Sequence, residues 1–132
     1  MNITTTKSDL IGALAGMVCL LHCIATPFLF IAVAGSANHG VEAPVWWISI
    51  NYTFLVVAFF AVLQSVKTTS NNTIKPIFWV TYFLLFAVIV NEQFLWIHLP
   101  EFFSYLAASF LIGVHLYNQK YCQCSTEGCC VD

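Results

Sequence analysis

Long apolar runs alternate with short polar breaks along this chain. Four runs, at residues 10–34, 45–66, 77–97 and 102–121, consist mainly of aliphatic and aromatic side chains. Each is close to the roughly 20 residues that a helix needs to cross the hydrocarbon core of a bilayer. Glycine, asparagine and proline punctuate the breaks, as is typical of turns. The pattern predicts four transmembrane helices.

The lysines predict the orientation of these helices. Lys7 precedes the first helix, Lys67 and Lys75 lie between the second and the third, and Lys120 ends the fourth. Cytoplasmic flanks of membrane helices collect Lys and Arg, and one four-helix threading places all four lysines on one side. We therefore predict an all-α integral membrane protein, a four-transmembrane-helix bundle with both termini in the cytoplasm.

The amino-acid composition indicates that the chain lies in a lipid bilayer and does not bind nucleic acid. In 132 residues, 60% are hydrophobic and 8% are charged, against about 25% charged in soluble domains. The net charge is -2 and no arginine is present, so no basic stripe is available for a phosphate backbone. We expect one membrane domain at residues 1–121 and a cysteine-rich cytoplasmic tail at 122–132.

The first helix contains the sharpest motif, Cys19-Leu20-Leu21-His22-Cys23. Residues three and four apart share a helix face, which predicts two thiols and an imidazole on one side. These are soft ligands suited to a thiophilic metal ion. The alternative is structural, because a free Cys often packs as a small hydrophobe and a His can bridge two helices.

Neighbouring residues indicate that this face lies inside the bundle. Gly12 and Gly16 continue the stripe with the small-xxx-small spacing that lets membrane helices approach closely. Pro27 cannot donate a hydrogen bond to the Cys23 carbonyl and should kink the helix. The freed carbonyl oxygen would be a further ligand or a hydrogen-bond acceptor.

The fourth helix offers a second group, in which His115, Asn118 and Cys122 share a face by their spacing. If the first and fourth helices pack together, His115 could reach the Cys19 face and act as a ligand. An interhelical hydrogen bond is the equal alternative.

The tail carries Cys122, Cys124, Cys129 and Cys130. Zinc sites prefer cysteines separated by two to four residues, so this spacing instead indicates a flexible thiol cluster for a soft ion. Palmitoylation of juxtamembrane cysteines and redox pairing are the alternatives.

The loops opposite the lysines are acidic. Glu42, Glu101 and the nearby Glu92 lie on that side, with His39 and His98 beside them. Such an outer mouth would attract a cation, although ordinary solvated loop charges explain it equally well. Glu92 with Asn91 could receive a cation or relay protons, but it lies close enough to the helix end to reach water.

With the helix-one motif, Pro27 and the His115-Leu116-Tyr117-Asn118 run before Cys122, the chain resembles the MerC family of mercury-resistance membrane proteins. The resemblance covers nearly the whole chain. It implies a multi-pass protein of the bacterial inner membrane that takes up mercuric ion through Cys19 and Cys23. Mercuric transporters usually place these cysteines as Cys-x-x-Cys, whereas here they are four residues apart.

We therefore expect a membrane transporter or binding protein, and not an enzyme, for a thiophilic metal ion: mercury, copper or zinc. Its ligands would come from Cys19, His22, Cys23, His115 and the tail cysteines, which pass the ion inward. Four helices are few for a complete pathway, so a homo-oligomer or a larger membrane complex is a further expected partner. Two alternatives are an accessory or scaffold subunit of such a complex, and a haem or redox protein that uses His22 and His115.

Overall fold

The computed structural model describes residues 3–34, 44–94 and 96–121, and these residues form four α-helices. They are α1 (Ile3–Ala34), α2 (Val45–Thr68), α3 (Ile74–Phe94) and α4 (Phe102–Tyr121). No strand occurs within these ranges. The predicted helix number and order are confirmed.

The four helices form an alternating bundle. α1 packs against α2 and α4, and α3 packs against the same two helices, with the most extensive contact between α1 and α4. Lys7, Lys67, Lys75 and Lys120 all lie near helix termini at one end of this bundle, which we call the lysine end. At the opposite end, α1 and α3 finish while α2 and α4 begin.

Three of the helices are long and apolar enough to cross a membrane by themselves. These spans are Lys7–Ala32 within α1, and the whole of α2 and α3. α4 is shorter and more polar, but at 1.5 Å per residue its 20 residues still extend about 30 Å. Its Ser104, His115 and Asn118 are buried inside the bundle, while Phe110 and Leu116 are exposed on its surface. The chain is therefore an all-α membrane bundle, as the hydrophobic pattern predicts.

α3 differs from the prediction at both ends. It begins at Ile74 and not at residue 77 because Pro76 lies in the first turn, where its missing N–H is tolerated. It ends at Phe94 and not at residue 97. The Asn91 side chain donates to the Ile97 carbonyl (2.8 Å) and accepts from the Ile97 amide (2.9 Å), so the chain turns back onto the helix.

Two glycines set the spacing between α1 and α4. A Cβ atom at Gly12 would stand 2.4–2.7 Å from three atoms of the His115 ring, and one at Gly16 would stand 2.7 Å from Ile112 Cγ1. Both distances are shorter than van der Waals contact. The glycines therefore let the helices meet at the face that carries the cysteines, in agreement with their small-xxx-small spacing.

Candidate metal site and a buried polar network

Cys19 and Cys23 lie together in the interior of the bundle. Both are free thiols and both are buried, with 2% and 9% of their surfaces exposed. They are one helical turn apart on α1, and their side chains are close enough to form a hydrogen bond with each other. The helix thus presents a pair of adjacent sulfurs to its neighbours.

His22 is directed away from this pair, toward α2. Each residue turns an α-helix by about 100°, so positions 22 and 23 diverge even though both lie near position 19. The His22 ring stacks on Trp47, with ring centroids 4.1 Å apart. The ring also interacts with the Asn51 side chain and the Trp47 backbone, although neither its nitrogens nor Asn51 Oδ1 completes a hydrogen bond of regular geometry.

The structure therefore brings together two sulfurs and not a complete set of three ligands. Within the part of the chain that the structure describes, no group of three or more His, Cys, Asp or Glu side chains converges to hold a metal ion. A soft ion bound between Cys19 and Cys23 would have two thiolates as its direct ligands. The contribution of His22 stays a prediction.

The helix segment after Cys23 is held to α2. α1 continues through Pro27, and Thr26 Oγ1 donates to the His22 carbonyl (2.8 Å). Trp47 Nε1 donates in turn to Thr26 Oγ1 (3.2 Å). These two hydrogen bonds hold the α1 segment after Cys23 against the start of α2, beside the thiol pair.

A cavity of about 410 Å³ lies beside Thr26 and Trp47, at the end of the bundle opposite the lysine end. Cys23 is among its lining residues, as are Glu92, His98 and Glu101. Two of the acidic groups predicted on the outer side, Glu92 and Glu101, therefore share one cavity with the second cysteine. His39 and Glu42 lie outside the described residues.

The two carboxylates at this cavity are held by neighbours on α4. Glu92 accepts a hydrogen bond from the Ser104 hydroxyl, and Glu101 Oε2 accepts one from the Tyr105 hydroxyl (3.1 Å). Each carboxylate has a second oxygen, so neither bond uses up its capacity to accept. The cavity thus has two fixed acidic groups near a thiol.

His115 belongs to a different site, a buried polar network near the lysine end. Its Nδ1 lies 3.0 Å from Asp9 Oδ1. Asn118 donates to Asp9 Oδ2 (2.7 Å), and Ser65 donates to Asp9 Oδ1 (2.5 Å). All four residues are fully buried, so one carboxylate joins α1, α2 and α4.

This network is separated from the cysteines along α1. His115 contacts Gly12, which precedes Cys19 by seven residues, or about 10 Å at 1.5 Å per residue. The packing of α1 on α4 is as the sequence suggested, but it brings His115 to Asp9. His115 and Asn118 thus make hydrogen bonds between helices, which was the alternative to a role as metal ligands.

Sequence reasoning missed Asp9 and Ser65. The predicted first helix began at residue 10, which left Asp9 outside the membrane segment. A signal was available, because Asp9 precedes Gly12 by three residues and so extends the stripe of Gly12, Gly16 and Cys19 by one turn. Ser65 had no comparable signal.

The tail cysteines Cys122, Cys124, Cys129 and Cys130 lie outside the described residues. Their role in metal binding stays a prediction. The same applies to the division between a membrane domain at 1–121 and a tail at 122–132.

Fold and site together define a small multi-pass helical membrane protein with a buried thiol pair beside an acidic cavity. The family model described as MerC mercury resistance protein matches residues 9–120. The chain belongs to this family, which confirms the resemblance drawn from the motifs. Comparison with curated proteins and with solved structures gives no match.

Proposed function

We propose that this protein binds a thiophilic metal ion, mercuric ion by its family, and passes it across the membrane through Cys19 and Cys23. One observation carries the proposal. Cys23 lines an open acidic cavity, and the free thiol of Cys19 lies next to it in the interior. A soft cation drawn into the cavity would meet first carboxylates and then two sulfurs.

The path begins with electrostatic attraction. Carboxylates lining a cleft with low-dielectric walls raise the local concentration of cations, and Glu92 and Glu101 fill this role at the cavity. They are hard ligands, whereas thiolates are preferred by soft ions. The ion therefore moves from the carboxylates to Cys23 and then to the Cys23–Cys19 pair, with release of the thiol protons.

The lysine end of the bundle supports an inward direction for the movement of the ion. Asp9 ties α1, α2 and α4 together near the lysine end, while the cavity is at the other end. A bundle that is tied together at the lysine end and has its cavity at the other end fits a conformation that receives the ion from the side opposite the lysines. With the lysines cytoplasmic, transfer runs inward, and the tail cysteines would take the ion by ligand exchange.

We place the protein in the bacterial inner membrane with both termini in the cytoplasm. Because four helices are few for a complete pathway, it would act as a homo-oligomer or as part of a larger membrane complex. No step requires a covalent change of an organic substrate, so we propose no enzymatic activity.

The geometry does not favour haem binding by His22 and His115. His115 contacts Gly12, and His22 lies ten residues further along α1, which corresponds to about 15 Å. Two axial ligands of one haem must face each other across a single iron. The two histidines instead lie at separate levels of the bundle.

Elemental analysis of the purified chain tests the proposal. After loading with mercuric ion and removal of excess, a variant with all four tail cysteines changed to serine should retain one ion per chain. The same variant with Cys19→Ser and Cys23→Ser should retain none. A Soret band, or equal metal content in both variants, would contradict the proposal. Absence of bound metal in both would favour the accessory subunit.

A further inference from the structure

The cavity beside Cys23 is larger than a metal ion requires. Its volume is about 410 Å³, whereas a water molecule occupies about 30 Å³ in the liquid. Volumes of roughly 300–1,000 Å³ are typical of sites that hold small organic molecules. The size fits a metal ion that arrives with organic ligands still attached.

The lining residues indicate the charge of those ligands. Glu92 and Glu101 contribute two carboxylates, and the lining residues that the structure describes include no Lys or Arg, with His98 as their one basic side chain. Trp47 and Tyr105 also line the cavity, and aromatic faces attract cations. A complex with positively charged arms would suit these walls better than an anionic one.

Asn51 contributes a polar group with unused hydrogen-bonding capacity. Its side chain lines the cavity, is 8% exposed and interacts with the His22 ring, yet its Oδ1 completes no hydrogen bond of regular geometry. A buried acceptor whose hydrogen bonding is incomplete is unfavourable. An ammonium group in the cavity would donate to this oxygen and to the carboxylates, and charge-assisted bonds of this kind are the stronger ones.

We propose that the metal ion reaches Cys23 as a complex with two small amino-bearing thiols, whose ammonium groups are held by Glu92, Glu101 and Asn51. This inference rests on the proposed function, because it takes the Cys19–Cys23 pair as the acceptor of the ion. It adds the chemical class of the substrate: a cationic bis-thiolate complex and not the bare ion.

The transfer is a thiol exchange in two equivalent steps. The Cys23 sulfur forms a bond to the metal, one small-thiol sulfur leaves the metal, and the Cys23 proton departs on the released thiol. Cys19 then displaces the second small thiol in the same way. Two protein thiols are consumed and two small thiols are released. The metal keeps its oxidation state, so no oxidant or reductant is needed.

The test compares two mercuric complexes of similar size and opposite charge, one made with 2-aminoethanethiol and the other with mercaptoacetate. The full-length chain with its four tail cysteines changed to serine is mixed with each complex in detergent. Formation of the mercury adduct is followed by quenched-flow mass spectrometry. Loading from the cationic complex should be about tenfold faster, within the range by which charged clefts raise association rates.

Two charge variants identify the source of this preference. Glu92→Gln with Glu101→Gln should bring the two rates within about twofold, because shape is kept while the negative charge is removed. Lys67→Gln changes an exposed charge at the lysine end and should leave the tenfold ratio intact. Helical circular dichroism confirms that each variant is folded.

Each contrary result has a definite meaning. Equal loading rates from both complexes in the unmutated cavity would overturn the substrate class while leaving metal binding by the thiol pair in place. This comparison needs no cavity variant, so misfolding of the double glutamine variant does not affect it. No loading from either complex, or from mercuric chloride, would overturn the proposed function itself.

Discussion

Changing Cys19 or Cys23 to serine should lower the affinity for mercuric ion by about 100-fold or more. Loss of a group that only supports a metal ligand already lowers affinity by roughly 10–100-fold, and here a direct sulfur ligand is removed. The measurement is metal titration in detergent at pH 6, 7 and 8 in the background without tail cysteines. Affinity of the parent chain should rise with pH, because bound metal displaces the thiol protons.

His22→Ala provides the matched comparison in the same helix. It keeps both sulfurs and removes a ring that stacks on Trp47 and not on the thiols, so affinity should fall by about tenfold or less. Helical circular dichroism separates lost binding from lost folding. If His22→Ala abolishes binding while both serine variants retain it, the site is centred on the imidazole and not on the sulfurs.

Asp9→Ala should have the largest effect on stability. The carboxylate accepts hydrogen bonds from Ser65 and Asn118 and pairs with His115, all fully buried. Removing the carboxylate leaves three buried polar groups without their partner, at a cost of about 1–3 kcal/mol each. The expected result is a matching loss in the free energy of unfolding, measured by circular dichroism during titration with dodecyl sulfate.

Smaller changes in the same region should give graded losses. Ser65→Ala removes one hydrogen bond and should cost about 1 kcal/mol. Gly12→Ala drives a Cβ atom into the His115 ring and should cost about 1–3 kcal/mol by overpacking. Gly113→Ala is its control, since a Cβ atom there meets nothing within 4 Å. An Asp9→Ala chain as stable as the Gly113→Ala chain would refute the role of the network.

The helices were predictable because a single local quantity, the length of an apolar run, decides whether a segment crosses a bilayer. The close approach of α1 to another helix was predictable from the spacing of Gly12 and Gly16 for a similar reason. Both inferences need only residues within a few turns of each other. The adjacency of Cys19 and Cys23 also follows from their separation by one turn.

The sequence did not show which residues of different helices contact each other. Asp9 and His115 are 106 residues apart in the chain, and spacing within one helix does not say which residue of another helix it meets. The direction of His22 depended on Trp47, which lies on α2. The end of α3 depended on the contact of Asn91 with Ile97. The hydrophobic pattern continues to residue 97 and so did not show that the helix ends at Phe94.

Uptake of radioactive mercuric ion into sealed inner-membrane vesicles of cytoplasm-inside orientation tests the central claim most directly. The comparison is between the chain without tail cysteines and the same chain with Cys19→Ser and Cys23→Ser, at equal amounts in the membrane. Inward transfer through the thiol pair predicts uptake by the first and only the background of empty vesicles for the second. Equal uptake by the two chains would contradict it.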